Sequence, residues 1–513
     1  MDKKRSVLNI SVSVASRIIL LLAALLVRRL LIQRIGNEVN GLNSLYSGII
    51  GMLAVAELGV GRAIVYSMYK PIVDGENRQV AALFQLYQKL YRIIGAAIFA
   101  AGMILMPFLP VLIDDYDKLS VNVYSTFLLT LIAVSVSYLY SAKSSLIEAY
   151  KDNYITTIIL TVSRLFRYLL QIVSLLLWES YTAFLICQII ETLVIWAITH
   201  KVARRKHGDI LALHETADAE TKRAVARNVK ALLMHRFGSI LVSCTDSMII
   251  SGFIGVAALG RYTNYTYIAG IMSGTIGLVF TPLTSIMGHL CAAGDPKQSK
   301  RYFDYFYCVN FILGIVFFLG YYAVIDEAVR LCFGPSLEVS RTVSFIITLD
   351  QFLIYMRKTM LLFRDASGTF YYDRWRPLLE GIINLVLSLI FVKIFPEEYK
   401  VAGVIAATIV TCLLVVFTIE PYVVFKRVFC SSQRQFYVRN YGYITIFTIC
   451  MLIMTRSMQH TGNDIINILL NGTISVVLSG AALLLVAAVD RSFRKEVQTI
   501  SRKILSSARI IRS

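Results

Sequence analysis

Apolar stretches of bilayer length follow one another along almost the whole chain, with short polar connections between them. There are fourteen, over 7–33, 42–66, 83–113, 121–142, 155–178, 181–200, 229–254, 262–290, 303–325, 340–363, 377–395, 401–425, 441–458 and 465–489. A helix crosses a bilayer in about 20 apolar residues. The runs are rich in Leu, Ile, Val and Ala without strict alternation, so they predict helices and not the strands of a membrane barrel. The expected fold is an all-α integral membrane protein of about fourteen spans; twelve spans keep the same topology.

The connections then give the topology. One set is basic: Lys201, Arg204, Arg205, Lys206, Lys222, Arg223, Arg227 and Lys230, then Lys297, Lys300 and Arg301, then Lys426, Arg427, Arg434 and Arg439. The other set is short and acidic, with Asp114, Asp115, Asp117, Glu179, Asp326, Glu327, Glu397, Glu398 and Asp464. The alternation keeps phase throughout, which places both termini in the cytoplasm. The net charge of +19 is therefore mostly topology, and nucleic acid is not an expected partner. At 57% hydrophobic and 16% charged residues, the composition is far from the about 25% charged of a soluble domain. The first run is too long for a cleavable signal and no small-residue cleavage site follows it, so it reads as a retained span. Two cytoplasmic pieces look amphipathic: Asn77–Ile93, with Val80, Leu83, Phe84, Tyr87, Leu90 and Tyr91 on one face, and the tail Val489–Ser513. Both fit helices lying on the inner leaflet.

Rare residues recur at a fixed offset. Asn9 and Asn228, Arg17 and Arg236, Gly36 and Gly255, Gly41 and Gly260, Tyr46 and Tyr265, Gly51 and Gly270, and Phe84 and Phe303 are each 219 apart (236 − 17 = 219). Later the offset is 221: Lys143 with Arg364, Tyr150 with Tyr371, Asp152 with Asp373. The repeat unit holds six spans, so its two copies have parallel topology. The expected organisation is an N-lobe over 1–202, a basic linker over 203–227, a C-lobe over 228–427, two further spans within 438–489 and a basic tail over 490–513.

The repeat singles out two cations. Arg17 and Arg236 sit at equivalent depth in equivalent spans, Arg17 roughly 15 Å from the start of its run. An intramembrane arginine is costly and marks a functional position by default. Two guanidiniums from two lobes suit an anion such as a diphosphate, onto which each forks with paired donors; the alternative is an internal ion pair with an acid such as Glu57. Arg62 and Arg164 join them as candidate cavity cations, with Arg167 one turn from Arg164. Asp246 and Glu57 are candidates for a coupling Na⁺ or H⁺, Asp246 equally for pairing with an arginine. Glu191 and Asp350 are further mid-span acids; Arg28, Arg29, Arg357 and Lys358 lie where snorkelling competes with function. Thr281-Pro282 predicts a kink in the eighth span. No other cofactor is expected. The eight cysteines form no CxxC pair, the six histidines no metal spacing, and no P-loop occurs. No large outer loop exists to house an active site, so the chain does not read as an enzyme.

At this point the chain resembles the Wzx-type flippases, the polysaccharide-exporter branch of the multidrug/oligosaccharidyl-lipid/polysaccharide (MOP) superfamily. The likeness rests on NISVSVASRIILLLAALLVRRLLIQRIG, on GLNSLYSGIIGMLAVAELGVGRAIVYSMYKPIVDGENRQV, on the six-span repeat and on GTFYYDRWRPLLEGIINLVLSLI. It implies alternating-access movement of a polyprenyl-diphosphate-linked oligosaccharide across a bacterial plasma membrane, with Arg17 and Arg236 on the diphosphate. Energy would come from an ion gradient or the membrane potential. Membrane lipids, a polysaccharide polymerase and glycosyltransferases are the implied partners. A cation-coupled multidrug exporter, a lipid II flippase and a membrane glycan polymerase are the alternatives.

Overall fold

The computed structural model describes residues 3–54, 60–114, 116–213, 215–219, 223, 244–280, 287, 291, 295–369 and 372–499, and among them every regular element is a helix. In order these are α1 (Lys3–Arg34), α2 (Asn37–Leu53), α3 (Val60–Asp74), α4 (Asn77–Leu105), α5 (Val123–Ala149), α6 (Asn153–Leu177) and α7 (Tyr181–Ala212). There follow α8 (244–253), α9 (Val256–Phe280), α10 (Pro296–Phe333), α11 (Arg341–Met356), α12 (Lys358–Ser367) and α13 (Arg376–Ile394). Then come α14 (Lys400–Thr411), α15 (Phe417–Arg427), α16 (Arg434–Ser457), α17 (Asp464–Val489) and α18 (491–499). Nine helical segments among the described residues are long and apolar enough to cross a membrane, which makes this a multi-pass membrane protein.

Within the described residues the expected runs fall on one helix or on a broken pair, and the breaks have local causes; most of the run over 229–254 and the end of that over 262–290 lie outside the described residues. The run over 340–363 is interrupted at Arg357, between α11 and α12. The run over 401–425 passes through a π-helical turn, Cys412–Val416, before α15. Pro421 has no N–H for the Phe417 carbonyl and its ring crowds it; the chain widens one turn earlier. The amphipathic stretch from Asn77 is not a separate surface helix. It is the first half of α4, and Val80, Leu83, Phe84, Tyr87 and Tyr91 are buried inside the protein. The described part of the tail, up to 499, departs from its expectation in the same way: Phe493 on α18 is buried, its ring 6.1 Å from those of Phe311 and Tyr443, and 500–513 lie outside the described residues. In both places a 3.6-residue apolar period marks a face that packs on neighbouring helices, a face that period alone does not tell from a lipid-facing one.

The chain forms two compact units, Met1–Gly260 and Arg261–Ser513. In the first, α1 lies along α6, and α5 packs against both α4 and α7. The repeat shows in its backbone. Gly36 and Gly255 both have positive φ, +128° and +106°, and close their helices with the same bond, Gly36 N–H to Leu31 O at 3.3 Å and Gly255 N–H to Ile250 O at 3.0 Å. Only glycine adopts this backbone without strain.

Gly41 and Gly260 are repeat mates for a different reason. α2 crosses the first turn of α9 there, with Asn37 Nδ2 donating to the Ala257 carbonyl at 2.8 Å and Asn40 Nδ2 to the Gly260 carbonyl at 3.3 Å. A Cβ on Gly41 would lie 1.8 Å from the Val256 carbonyl oxygen, and one on Gly260 2.5 Å from that of Asn37. Small residues let membrane helices approach this closely. Because the obstacles are backbone atoms, no rotamer change relieves the overlap. Gly41→Leu is therefore expected to eliminate the monodisperse folded peak in detergent size-exclusion chromatography. Gly472→Leu, where an added Cβ meets nothing within 4 Å, should leave that peak intact.

The second unit has an aromatic centre. The Phe303 ring lies 5.1 Å from Phe429, 5.4 Å from Phe363, 5.5 Å from Phe425 and 5.7 Å from Phe436. These rings tie α10 to α12, α15 and α16 at the basic end of the helices, where the charged groups described next collect.

Candidate functional site

The sequence-derived candidates are placed unevenly. Arg17 is exposed on α1, and no carboxylate among the described residues pairs with it. Arg236, Glu57, the side chain of Arg62 and Thr281-Pro282 lie outside the described residues. Asp246 is buried on α8. Arg164 and Arg167 on α6 both face Glu191 on α7: Arg164 Nε is 3.6 Å from Oε1 and Arg167 Nη1 is 2.8 Å from Oε2. Glu191 is buried, whereas the Arg164 side chain remains 44% exposed. Two guanidiniums share one carboxylate, so the α6–α7 contact carries one uncompensated positive charge, and Arg164 is the partner free to turn outward.

The densest charged constellation lies in the second unit. Glu420 on α15 is 1% exposed, accepts hydrogen bonds from two guanidiniums and forms an ion pair with a third. Arg357, at the α11–α12 break, grips it with two parallel bonds, Nε to Oε2 at 2.9 Å and Nη2 to Oε1 at 2.6 Å. Arg364 on α12 reaches the same Oε1 at 3.1 Å, and Arg376, opening α13, approaches it at 3.0 Å. Arg376 also binds both oxygens of Asp373 at 3.1 and 2.9 Å and pairs with Glu380 one turn on. Three arginines thus meet three buried acids, Asp373, Glu380 and Glu420, with the half-exposed Asp365 at the rim against Arg364. Burial pushes the Asp373 carboxyl above its ordinary range, against the pull of Arg376 and Arg364.

This arrangement does one physical job. Each guanidinium already binds carboxylates, the three arginines are matched by the three buried acids with Asp365 as a fourth at the rim, and so the cluster does not recruit an anion. It ties the basic ends of α11, α12, α13 and α15 into one block. Arg357, for which snorkelling competed with function, is held inward by the Glu420 carboxylate. The repeat copy in the first unit is simpler: Lys143 Nζ meets His200 Nδ1 at 2.6 Å, Lys206 pairs with Asp152 at 2.5 Å, and Tyr150 stacks on His207 at 4.2 Å. Base and acid positions are shared, while the arginine trio belongs to the second unit alone. Glu420 was readable: it is the one acid inside VAGVIAATIVTCLLVVFTIEPYVVF, and an intramembrane acid demands a partner. Among the described residues no cluster of His, Cys, Asp and Glu is arranged to hold a metal.

No family model matches this chain. No curated protein matches it either. Solved structures do. The lipid II flippase MurJ, in an inward closed conformation, aligns with a TM-score of 0.59 at 12% identity, over 93% of this chain and 98% of MurJ. An inward-facing multidrug resistance MATE family transporter of the MOP superfamily aligns with a TM-score of 0.59 at 11% identity, over 80% of this chain and 98% of its own. The Vibrio cholerae MATE transporter VcmN, in its bent form, aligns with a TM-score of 0.53 at 12% identity, over 82% of this chain and 98% of its own. With helices throughout the described residues and these neighbours, the chain has the fold of the solved MurJ and MATE transporter structures.

Proposed function

We propose that this protein is a flippase that carries a polyprenyl-diphosphate-linked oligosaccharide across a bacterial plasma membrane by alternating access, with both termini cytoplasmic. What carries the reading is the extent of the fold. The likeness to a lipid flippase takes in 93% of the chain, whereas the two drug-transporter likenesses stop at 80% and 82%. That difference favours a flippase over an exporter. Cations inside the membrane support an anionic cargo: Arg17 is exposed, and Arg164 and Arg167 outnumber Glu191. In this reading Arg17 and Arg236, with Arg62 and Arg164, hold the diphosphate, and the prenyl chain stays in lipid. The glycosyltransferases that build the substrate and the polymerase that consumes it are the expected partners.

A cation-coupled exporter is the second reading, and the buried acids Asp246 and Asp350 favour it. Reconstituted vesicles separate the two. A fluorescent polyprenyl-diphosphate glycan loaded in one leaflet is expected to become accessible to a membrane-impermeant quencher at a rate at least tenfold above protein-free vesicles, with no transport of a cationic dye. Dye transport driven by a Na⁺ or H⁺ gradient, with no glycan movement, replaces the flippase reading by the exporter.

A further inference from the structure

A cavity of about 660 Å³ opens in the second unit where α10 and α16 begin and α17 gives way to α18. Its walls are apolar, formed by Phe425, Phe436, Tyr443, Ile446, Val486 and Val489. Its rim is basic: Lys300, Arg434, Arg439 and Arg491 line it with Asp304 and Asp490, four cations against two acids, while Glu496 lies outside the lining but within electrostatic reach of Arg439. Both acids are engaged. Asp304 takes Lys300 at 2.7 Å and Arg439 at 2.8 Å. Asp490 accepts from the Ser492 and Phe493 amides at 2.9 and 3.1 Å, capping α18, and from the Tyr443 hydroxyl at 3.1 Å. Arg434 and Arg491 meet no acid among the described residues.

Arg439 gives the cavity its chemical direction. Its Nη atoms are used, on Asp304 and on Ser492 at 3.2 Å, but its Nε is buried without a hydrogen-bond partner. A buried charged donor without an acceptor is costly, so such atoms call for an explanation. The position suggests what supplies the acceptor. Arg439 is five residues into α16, about 7.5 Å along the helix from Arg434, at the depth where a span leaves hydrocarbon for headgroups. An apolar slot with a guanidinium inside and a basic rim matches a phosphate with acyl chains attached. A soluble phosphate compound would leave those apolar walls in water.

We propose that this cavity binds an anionic glycerophospholipid, its phosphate on Arg439 Nε with Arg434 and Arg491 at the rim and its acyl chains along the aromatic wall. Under the positive-inside rule the basic end faces the cytoplasm, so the lipid comes from the inner leaflet. Gly442 supplies a clean test. It lines the cavity, and a Cβ there meets nothing within 4 Å, so Gly442→Leu fills the slot without touching its charges.

The experiment is native mass spectrometry of the full chain in detergent, titrated separately with phosphatidylglycerol, phosphatidylethanolamine and a polyprenyl monophosphate. Wild type should bind phosphatidylglycerol at least tenfold more tightly than phosphatidylethanolamine. The pair Arg434→Ala and Arg491→Ala should remove that preference. Gly442→Leu should lose phosphatidylglycerol while melting, lipid-free, where wild type does. Equal binding of the two phospholipids, or retention of phosphatidylglycerol by a folded Gly442→Leu, overturns the proposal. Displacement of phosphatidylglycerol by tenfold less polyprenyl monophosphate overturns the glycerophospholipid assignment and gives the phosphate site to a carrier lipid.

Discussion

Exchanging Arg17 and Arg236 together for glutamate abolishes surface polysaccharide while the protein stays at its normal level in the membrane. The expectation follows from sign. A guanidinium about 4 Å from a phosphate gains about 4 kcal/mol where the effective dielectric is near 20. A carboxylate in its place is repelled by a similar amount, and the exchange is made twice. Folding is not at stake at Arg17, which is exposed and has no acid partner among the described residues. Single exchanges should export weakly, and Arg17→Lys should retain part of the activity because it keeps charge but loses the fork. The checks are an immunoblot of surface glycan and one of the membrane fraction. Normal glycan in the double variant removes both arginines from the mechanism.

Glu420→Ala is expected to be the most destabilising single change in the second unit. Three guanidiniums converge on this carboxylate, and its removal leaves buried cations with too few anions. Breaking a buried pair from one side costs about 3–5 kcal/mol, and Glu420→Gln, which keeps shape but not charge, should lose most of that. The comparison is Glu179→Gln, whose partner Arg34 is 2.8 Å away but whose side chains are 54% and 44% exposed. Exposed pairs contribute about 0–1 kcal/mol, so this variant should melt with wild type. Detergent melting curves decide the matter: a Glu420→Gln protein within a degree or two of wild type would mean that the cluster holds nothing together.

How much of this was legible in the sequence depended on the kind of signal. The spans were, because a run of apolar residues has few physical fates besides a membrane or a core. The paired glycines were, because Gly36 and Gly255 have positive φ and Gly41 and Gly260 lie against backbone that leaves no room for a side chain. What periodicity did not reveal was the partner of an apolar face. Val80 to Tyr91 and Phe493 have the spacing of interfacial helices yet pack on protein. The ion cluster was half visible. Asp373 stood out through its repeat mate Asp152, but Arg357 sits 63 positions from Glu420, and only the fold brings them together. Arg164 read as a cavity cation; the structure adds the acid beside it, which is on the next helix and out of reach of any local pattern.

The three arginines and three buried acids of this cluster, Glu420 among them, also bear on electrical recording. Three positive and three negative side chains that move as one block displace no net charge across the field. Work of about 2.3 kcal/mol per elementary charge per 100 mV therefore does not apply to them. Any displacement current measured during turnover must come from the cargo, from a coupled ion or from the arginines outside this block, and Arg357, Arg364 and Arg376 can be left out of that sum.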